Sequence, residues 1–397
     1  MATPIADRSL AGRPIGFWAF TGVAVISFGG PLALAALIAP GLVEDASESA
    51  GLVMIAAAVV FLAPLAIWLR YSREINSAGG LYGFVEAAAG RQVALAQAAI
   101  WILSYVLYLV YTTIQIAFDL LPAVLPGARQ YQTLLAILIP VTLAAIMIAG
   151  RGAALVAAGV LAVGQLALAG ALDGVTLAHI STPASSFGTS AASGSFATAS
   201  MKTSLLYVCG SLPLFLGGEV RRPVQTIRRG LLGAYAATAL VAVLAVAPLA
   251  AAPGLLRTEV PGFSVAQQFA SPWFANALGI GIAASVGGVM LAEYIALGRL
   301  VHAISSWRVR PVNIGIGLLL IAVAPLMLID PHGISEAFEK PSLGALWISQ
   351  LIVFAVFPLY ARKQRMRMQP LWWLLCLAAS AFAVYGFWTT VVHHGGS

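Results

Sequence analysis

Apolar stretches of about twenty residues recur from one end of this 397-residue chain to the other, and that recurrence leaves few folds open to it. A helix needs roughly 20 apolar residues to cross a ~30 Å hydrocarbon core. A membrane β-barrel would instead alternate in segments of ~10 residues, and no such pattern occurs. Only 9% of the residues are charged, against about 25% in a typical soluble domain, so the outer surface has to face lipid. The first run, Phe17 to Ala39, is too long for a signal-peptide core and lacks a small-residue cleavage pattern. The fold class read from this is an all-α polytopic membrane protein. Its spans fall near 17–39, 51–69, 92–118, 131–149, 152–172, 203–218, 230–252, 273–303, 312–329, 342–361 and 371–392.

The distribution of charge tests this numbering. With the N-terminus in the cytoplasm, 17 of the 21 basic residues lie on the inside, and only Arg129, Lys202, Arg257 and Lys340 lie outside. Positive charge is retained on the cytoplasmic side of membranes, and a missed or invented span would scramble the alternation. The acids lean the other way, with Glu44, Asp45, Glu48, Asp119, Asp173, Glu259, Asp330, Glu336 and Glu339 all assigned outside. The expected setting is the inner (plasma) membrane, with the C-terminus, His393 to Ser397, outside. The net charge of +7 then belongs to the membrane surface, so no nucleic-acid partner is expected. The segment from Thr182 to Ser200, rich in Ala, Ser, Thr and Gly, reads as an outer loop, with room for a short interfacial helix.

Two spans carry breaks. The first holds Ser27-Phe28-Gly29-Gly30-Pro31, and the sixth holds Cys209-Gly210-Ser211-Leu212-Pro213 followed by Gly217-Gly218. Glycine relaxes the helical bias and proline removes a donor. An interrupted helix at membrane depth is tolerated where it lines a cavity, and paired breaks in corresponding positions of two halves point to a transporter's binding site. Packing by glycine is the competing explanation for one break, but explains two breaks five spans apart less well.

Three segments resemble the amino acid–polyamine–organocation superfamily. Asn76-Ser77-Ala78-Gly79-Gly80-Leu81-Tyr82 is similar to its Pro-x-x-Gly-Gly-x-Tyr segment. Glu219-Val220-Arg221-Arg222-Pro223, running on to Ile227-Arg228-Arg229, looks like its Glu-Val-Lys-Asn-Pro-x-x-x-Ile-Pro-Arg. Gly298-Arg299-Leu300-Val301-His302-Ala303-Ile304 is similar to its Ser-Arg-x-x-x-Ala-Met. The resemblance implies a single transport domain with the LeuT-like inverted five-plus-five repeat. Residues 17–172 would form the first repeat, 203–361 the second, and 371–392 an extra eleventh helix. It also implies secondary transport of amino acids or amines by alternating access. Ser27, Phe28, Gly29 and Gly30 would then meet a substrate carboxylate, and Tyr207, Cys209, Gly210 and Ser211 its amino group. The sequence departs from the family at Leu212-Pro213, where an acid is common, at Gln165, where proton-coupled members carry lysine, and in having eleven spans rather than twelve.

Glu293 is the acid placed well inside a span, and a carboxylate in a membrane is costly enough to be functional by default. It is read as a proton-coupling residue, with Gln165 beside it in that role. The alternative is a structural carboxyl paired with Arg299. Glu219 is read as a gate or loop ion pair with a neighbouring arginine. Trp101, Tyr105, Tyr108, Tyr111 and Gln115 share one helical face, and Tyr105 and Tyr108 are the candidates for lining a substrate path. Gly152, Gly159, Gly164 and Gly170 read as close-packing positions in span 5. No Walker loop, HExxH, GxSxG or Cys–His cluster occurs, so neither an enzyme nor a cofactor or metal site is expected. The expected function is secondary transport of a small neutral amino acid. An amine carrier using Glu293 is the alternative, and uptake, export and exchange are all served by one such fold.

The topology has a direct test. In a Cys209→Ala/Cys376→Ala background, Ser181→Cys is expected to react with a membrane-impermeant maleimide in intact cells. Lys363→Cys is expected to react only after the cells are opened, and the reverse pattern would invert the assignment.

Overall fold

The computed structural model of the chain describes residues 14–189, 193–366 and 368–392. Arg8, Arg13 and Arg367, which entered the charge count, and the His393–Ser397 tail, expected on the outside, lie outside the described residues. Among the described residues eleven helices are long and apolar enough to cross a membrane. They are called here span 1 (Phe17–Leu42), span 2 (Ala46–Tyr71), span 3 (Arg91–Val124), span 4 (Pro126–Ala149), span 5 (Arg151–His179) and span 6 (Gly194–Glu219). Span 7 (Pro223–Ala251), span 8 (Pro272–Ser305), span 9 (Val309–Met327), span 10 (Pro331–Lys363) and span 11 (Pro370–Val391) complete them. The number and order are those read from the apolar runs. Several helices extend past those runs, because polar residues at a helix end continue its hydrogen bonding. Span 5 therefore reaches His179, and Asp173 is a buried side chain within it rather than a loop residue. Span 10 begins at Pro331, so Glu336, Glu339 and Lys340 ride on a helix.

Span 1 is broken as its glycines predict. An α-helix ends at Ser27, Gly29 and Gly30 take φ of +74° and +65°, and a second helix starts at Pro31. Positive φ is open to glycine at little cost, and proline suits the first position of a helix. Span 6 differs from expectation. It is not unwound at 209–213; the chain is wound continuously as a 3₁₀-helix from Leu205 to Glu219, fifteen residues long. Such helices rarely exceed three or four residues and often mark hinges. Gly210, Pro213, Gly217 and Gly218 weaken the α form here without interrupting the helix. The low-complexity segment contributes the helix Ser193–Ser204, which forms the first part of span 6 and runs directly into the 3₁₀ stretch.

Spans 3 and 10 form a hydrogen-bonded seam. Gln97 Nε2 donates to Ser349 Oγ at 2.8 Å. Seven residues along each helix, Ser104 Oγ donates to the Ser342 carbonyl at 2.8 Å and Ser342 Oγ to the Ser104 carbonyl at 2.7 Å. Seven residues are two helical turns, so both contacts lie on one antiparallel stripe. Of the four span 5 glycines read as packing positions, only Gly159 meets a neighbour. A Cβ on Gly22 of span 1 would lie 3.1 Å from the Gly159 Cα, while Cβ atoms on Gly152, Gly164 and Gly170 would meet nothing within 4 Å.

Ser104→Ala and Ser342→Ala are each expected to lower the free energy of unfolding in lipid or detergent by roughly 0.6–1.7 kcal/mol, the range for interhelical hydrogen bonds in membranes. Unchanged unfolding in both would show that the seam rests on packing alone.

Candidate functional site between spans 1, 3, 6, 8 and 10

The two helix segments singled out by their glycines lie against one another. The Phe28 ring, fully buried, presses on the Gly210 backbone, where a Cβ would come within 2.0 Å of it. A Cβ on Gly29 would lie 3.0 Å from the Leu206 carbonyl. The second half of span 1 is capped from another helix: Ser285 Oγ of span 8 accepts the Ala33 amide at 3.1 Å. Ala33 is the third residue of that half-helix, the position an N-cap side chain normally serves. A Cβ on Gly30 would lie 2.5 Å from the same hydroxyl oxygen, so glycine is needed here for space as well as for φ. The Gly30 amide has no hydrogen bond within the described residues. The Ser27 hydroxyl is bonded locally, to the Val23 carbonyl at 2.6 Å.

A 3₁₀-helix repeats every three residues, and span 6 accordingly presents three faces to three sets of neighbours. Tyr207 and Gly210 face an aromatic cluster. Tyr207 lies 5.6 Å from Phe61 and 5.1 Å from Tyr235 between ring centroids, and Phe28 lies 5.4 Å from Tyr235. Cys209 and Phe215 face spans 8 and 3. Cys209 Sγ is 3.9 Å from Glu293 Oε1, and Phe215 packs on Trp101 at 4.6 Å. Ser211 faces span 10, where Gln350 Nε2 donates to its hydroxyl at 3.1 Å.

The predicted residues thus separate into a polar group (Tyr105, Tyr108, Cys209, Ser211, Glu293) and an aromatic group (Phe28, Tyr207), with the span 6 backbone between them. Tyr105 packs against Trp101 with the rings tilted by 41° and lies 6.5 Å from Tyr108 between ring centroids. Glu293 Oε2, the Tyr105 and Tyr207 hydroxyls and Gln350 Oε1 are buried without a hydrogen-bond partner. Pairing is the rule for buried polar atoms, and these four are among those left open to a partner within the described residues. Arg299 does not reach Glu293; it is committed elsewhere. Gln165 stands apart from the polar group. A Cβ on Gly288 would meet the Gln165 Nε2 at 2.9 Å and the Ile26 side chain at 3.4 Å, and both Gln165 amide atoms are unpartnered. Sequence reasoning missed Gln350, Ser285, Phe61 and Tyr235, none of which is itself a glycine, a proline or a charged residue. Among the described residues no three His, Cys, Asp or Glu side chains come together as metal ligands would.

The two ends of this region differ. On the face where span 1 begins, rich in arginine, the site is sealed. Glu219 receives Arg299 Nε at 2.5 Å and Arg151 Nη1 at 3.0 Å, and its side chain is fully buried. Its partners are therefore remote in sequence, not the adjacent Arg221 and Arg222. The three motif segments converge here. Cβ atoms on Gly217 and Gly218 would touch the Ser77–Ala78 backbone, one on Gly80 would meet the Phe215 ring, and Arg299 belongs to the third motif. Ile15 adds a short strand pairing, its amide donating to the Glu219 carbonyl at 2.8 Å and its carbonyl accepting the Arg221 amide at 2.9 Å. On the opposite face a cleft of about 640 Å³ runs inward to Tyr108, past Leu37, Thr112, Gln115, Asp119 and Glu259.

No protein-family model matches the sequence, and no curated protein matches it. Solved structures do. A variant of the Eremococcus coleocola manganese transporter aligns with a TM-score of 0.63 at 12% identity, covering 96% of this chain and 89% of that one. A Na⁺-coupled sialic acid symporter in a substrate-bound, outward-open state aligns at 0.61 and 12%, covering 97% and 91%. MhsT in complex with L-phenylalanine aligns at 0.60 and 14%, covering 93% and 98%. The chain therefore has the LeuT-like fold over nearly its whole length.

Removing the Glu219 carboxylate leaves Arg299 buried without a counter-ion. Glu219→Ala is expected to cost roughly 3–5 kcal/mol of stability, as for one partner of a buried pair. Arg221→Ala should cost far less. Equal effects would mean that the buried pair is no stronger than an exposed one.

Proposed function

We propose that the protein is a secondary active transporter of a small neutral amino acid, a member of the amino acid–polyamine–organocation superfamily working by alternating access. The observation that carries this reading is the set of unpartnered polar atoms beside a broken span 1 and a 3₁₀-wound span 6. The free Gly30 amide, at the start of a half-helix, suits a carboxylate. Glu293 Oε2, the Tyr105 hydroxyl and the span 6 residues suit an ammonium group and its proton. The three converging motifs support the superfamily assignment. Residues 17–172 act as the first repeat and 203–361 as the second, with 371–392 as an added helix.

With the arginine-rich face in the cytoplasm, the sealed end is internal and the cleft is external. The chain is then in an outward-facing stage, with Tyr108 at the floor of the entry path. Opening inward has to separate Glu219 from Arg299 and Arg151. Glu293 serves as the proton-coupling group, and Gln165, wedged between spans 1 and 8, transmits its state to span 1. An amine carrier is the second reading, favoured by the unpartnered Glu293 carboxylate. Few other buried charges are available to hold a charged substrate side chain, and an unpaired one would be costly.

In proteoliposomes the protein is expected to take up a leucine-like amino acid faster when an inward proton gradient is imposed. Glu293→Gln should abolish that acceleration while leaving ligand-induced thermal stabilisation in place. If Glu293→Gln instead abolishes stabilisation by amines alone, the amine reading replaces this one. Stabilisation that requires sodium would rule out proton coupling at Glu293.

A further inference from the structure

Outside the transport region the chain holds a second cavity, of about 370 Å³, between the start of span 1 and the start of span 7. Gly16 and Phe17 form one wall; Arg221, Arg222, Gln225 and Arg229 form the other. No acid lines it. Glu219 is adjacent in sequence, but its carboxylate turns the other way, to Arg299 and Arg151. None of the three guanidinium groups has a carboxylate partner among the described residues, and the first turn of span 7 contains no acid that would offset them. Arg222 holds a left-handed conformation, φ +52°, which side chains other than glycine and asparagine adopt rarely. The chain thus keeps three positive charges and a helix N-terminus around one hollow, an arrangement that would be self-repelling without an anion.

We propose that this hollow binds the phosphate of an anionic phospholipid headgroup. Guanidinium groups match phosphate oxygens through forked, charge-assisted hydrogen bonds, and the Val224 and Gln225 end of span 7 adds the field of its dipole. The lipid source follows from depth. Trp18, 81% exposed, stands next to Phe17 with its ring 5.1 Å away. Exposed tryptophans of spanning helices sit at headgroup level, so the hollow opens where lipid phosphates are. Its walls begin one residue beyond each side of the isolated Ile15–Val220 bridge, at Gly16 and Arg221. A bound headgroup holds the start of span 1 against the end of span 6 and favours the sealed state of that face. The binding itself does not depend on the transport reading.

The test uses the full chain in detergent, checked for monodispersity by gel filtration. Retention of phosphatidylglycerol against phosphatidylcholine is read by native mass spectrometry, with inorganic phosphate as a separate competitor. Wild type is expected to retain phosphatidylglycerol selectively. Arg221→Gln/Arg229→Gln should retain it at least roughly tenfold more weakly, having lost two charge-assisted contacts. Arg308→Gln/Arg310→Gln, on the same face but away from the hollow, should retain it as wild type does. Equal loss in both double variants, or no loss in the first, would overturn the site in favour of diffuse attraction. Displacement of the lipid by inorganic phosphate at low concentration would overturn the lipid assignment and leave a soluble anion as the ligand.

Discussion

A hydrocarbon environment obliges each main-chain amide and carbonyl to find a partner within the protein, and the break in span 1 is where this chain departs from that rule. The departure persists because two other helices, spans 6 and 8, hold it. Ser285 caps the second half-helix. Gly210 gives Phe28 a flat surface to lie on, and the Leu206 carbonyl closes over Gly29. Each contact needs a residue with little or no side chain on one side, which is why Gly29, Gly30 and Gly210 matter by their absence of bulk. Once the break is fixed, the polar group around Glu293 and the aromatic group around Tyr207 fall on opposite sides of span 6.

The arginine-rich end is built from segments far apart in sequence. The loop after span 2, the end of span 6, the end of span 8 and the start of span 5 all meet around Glu219. A single buried carboxylate with two arginines makes the seal specific. It is also reversible, because the Coulombic gain of a buried pair is largely cancelled by desolvation. The opposite end has no such knot, and its cleft is lined by both polar and apolar side chains.

Much of this was legible in the residues. The eleven spans follow from the length of the apolar runs, and the break at Gly29-Gly30 follows from two glycines before a proline. The meeting of spans 1 and 6 was also foreseen. What escaped has physical reasons. Glycine and proline in span 6 signalled weak α-helix but could not say whether the chain would unwind or tighten, and it tightened. Glu219 was assigned to its nearest arginines because ion-pair partners are chosen by folding, not by sequence distance. Asp173 lay past the end of an apolar run that the helix itself outlasts. Gln350 had no local signal at all, being one amide in an otherwise plain helix. Gly164 and Gly170 show the converse, small residues at which an added Cβ would meet no neighbour within 4 Å.

The winding of span 6 has a consequence in length. Fifteen residues in 3₁₀ form extend roughly 30 Å, whereas the same residues as α-helix would extend roughly 22 Å. The segment therefore carries a reserve of travel of about 8 Å, and rewinding would draw Glu219 toward the membrane centre while turning Cys209 and Ser211 away from their present neighbours. One backbone element thus sets both how far the arginine clasp stands from Leu205 and which side chains face Glu293 and Gln350.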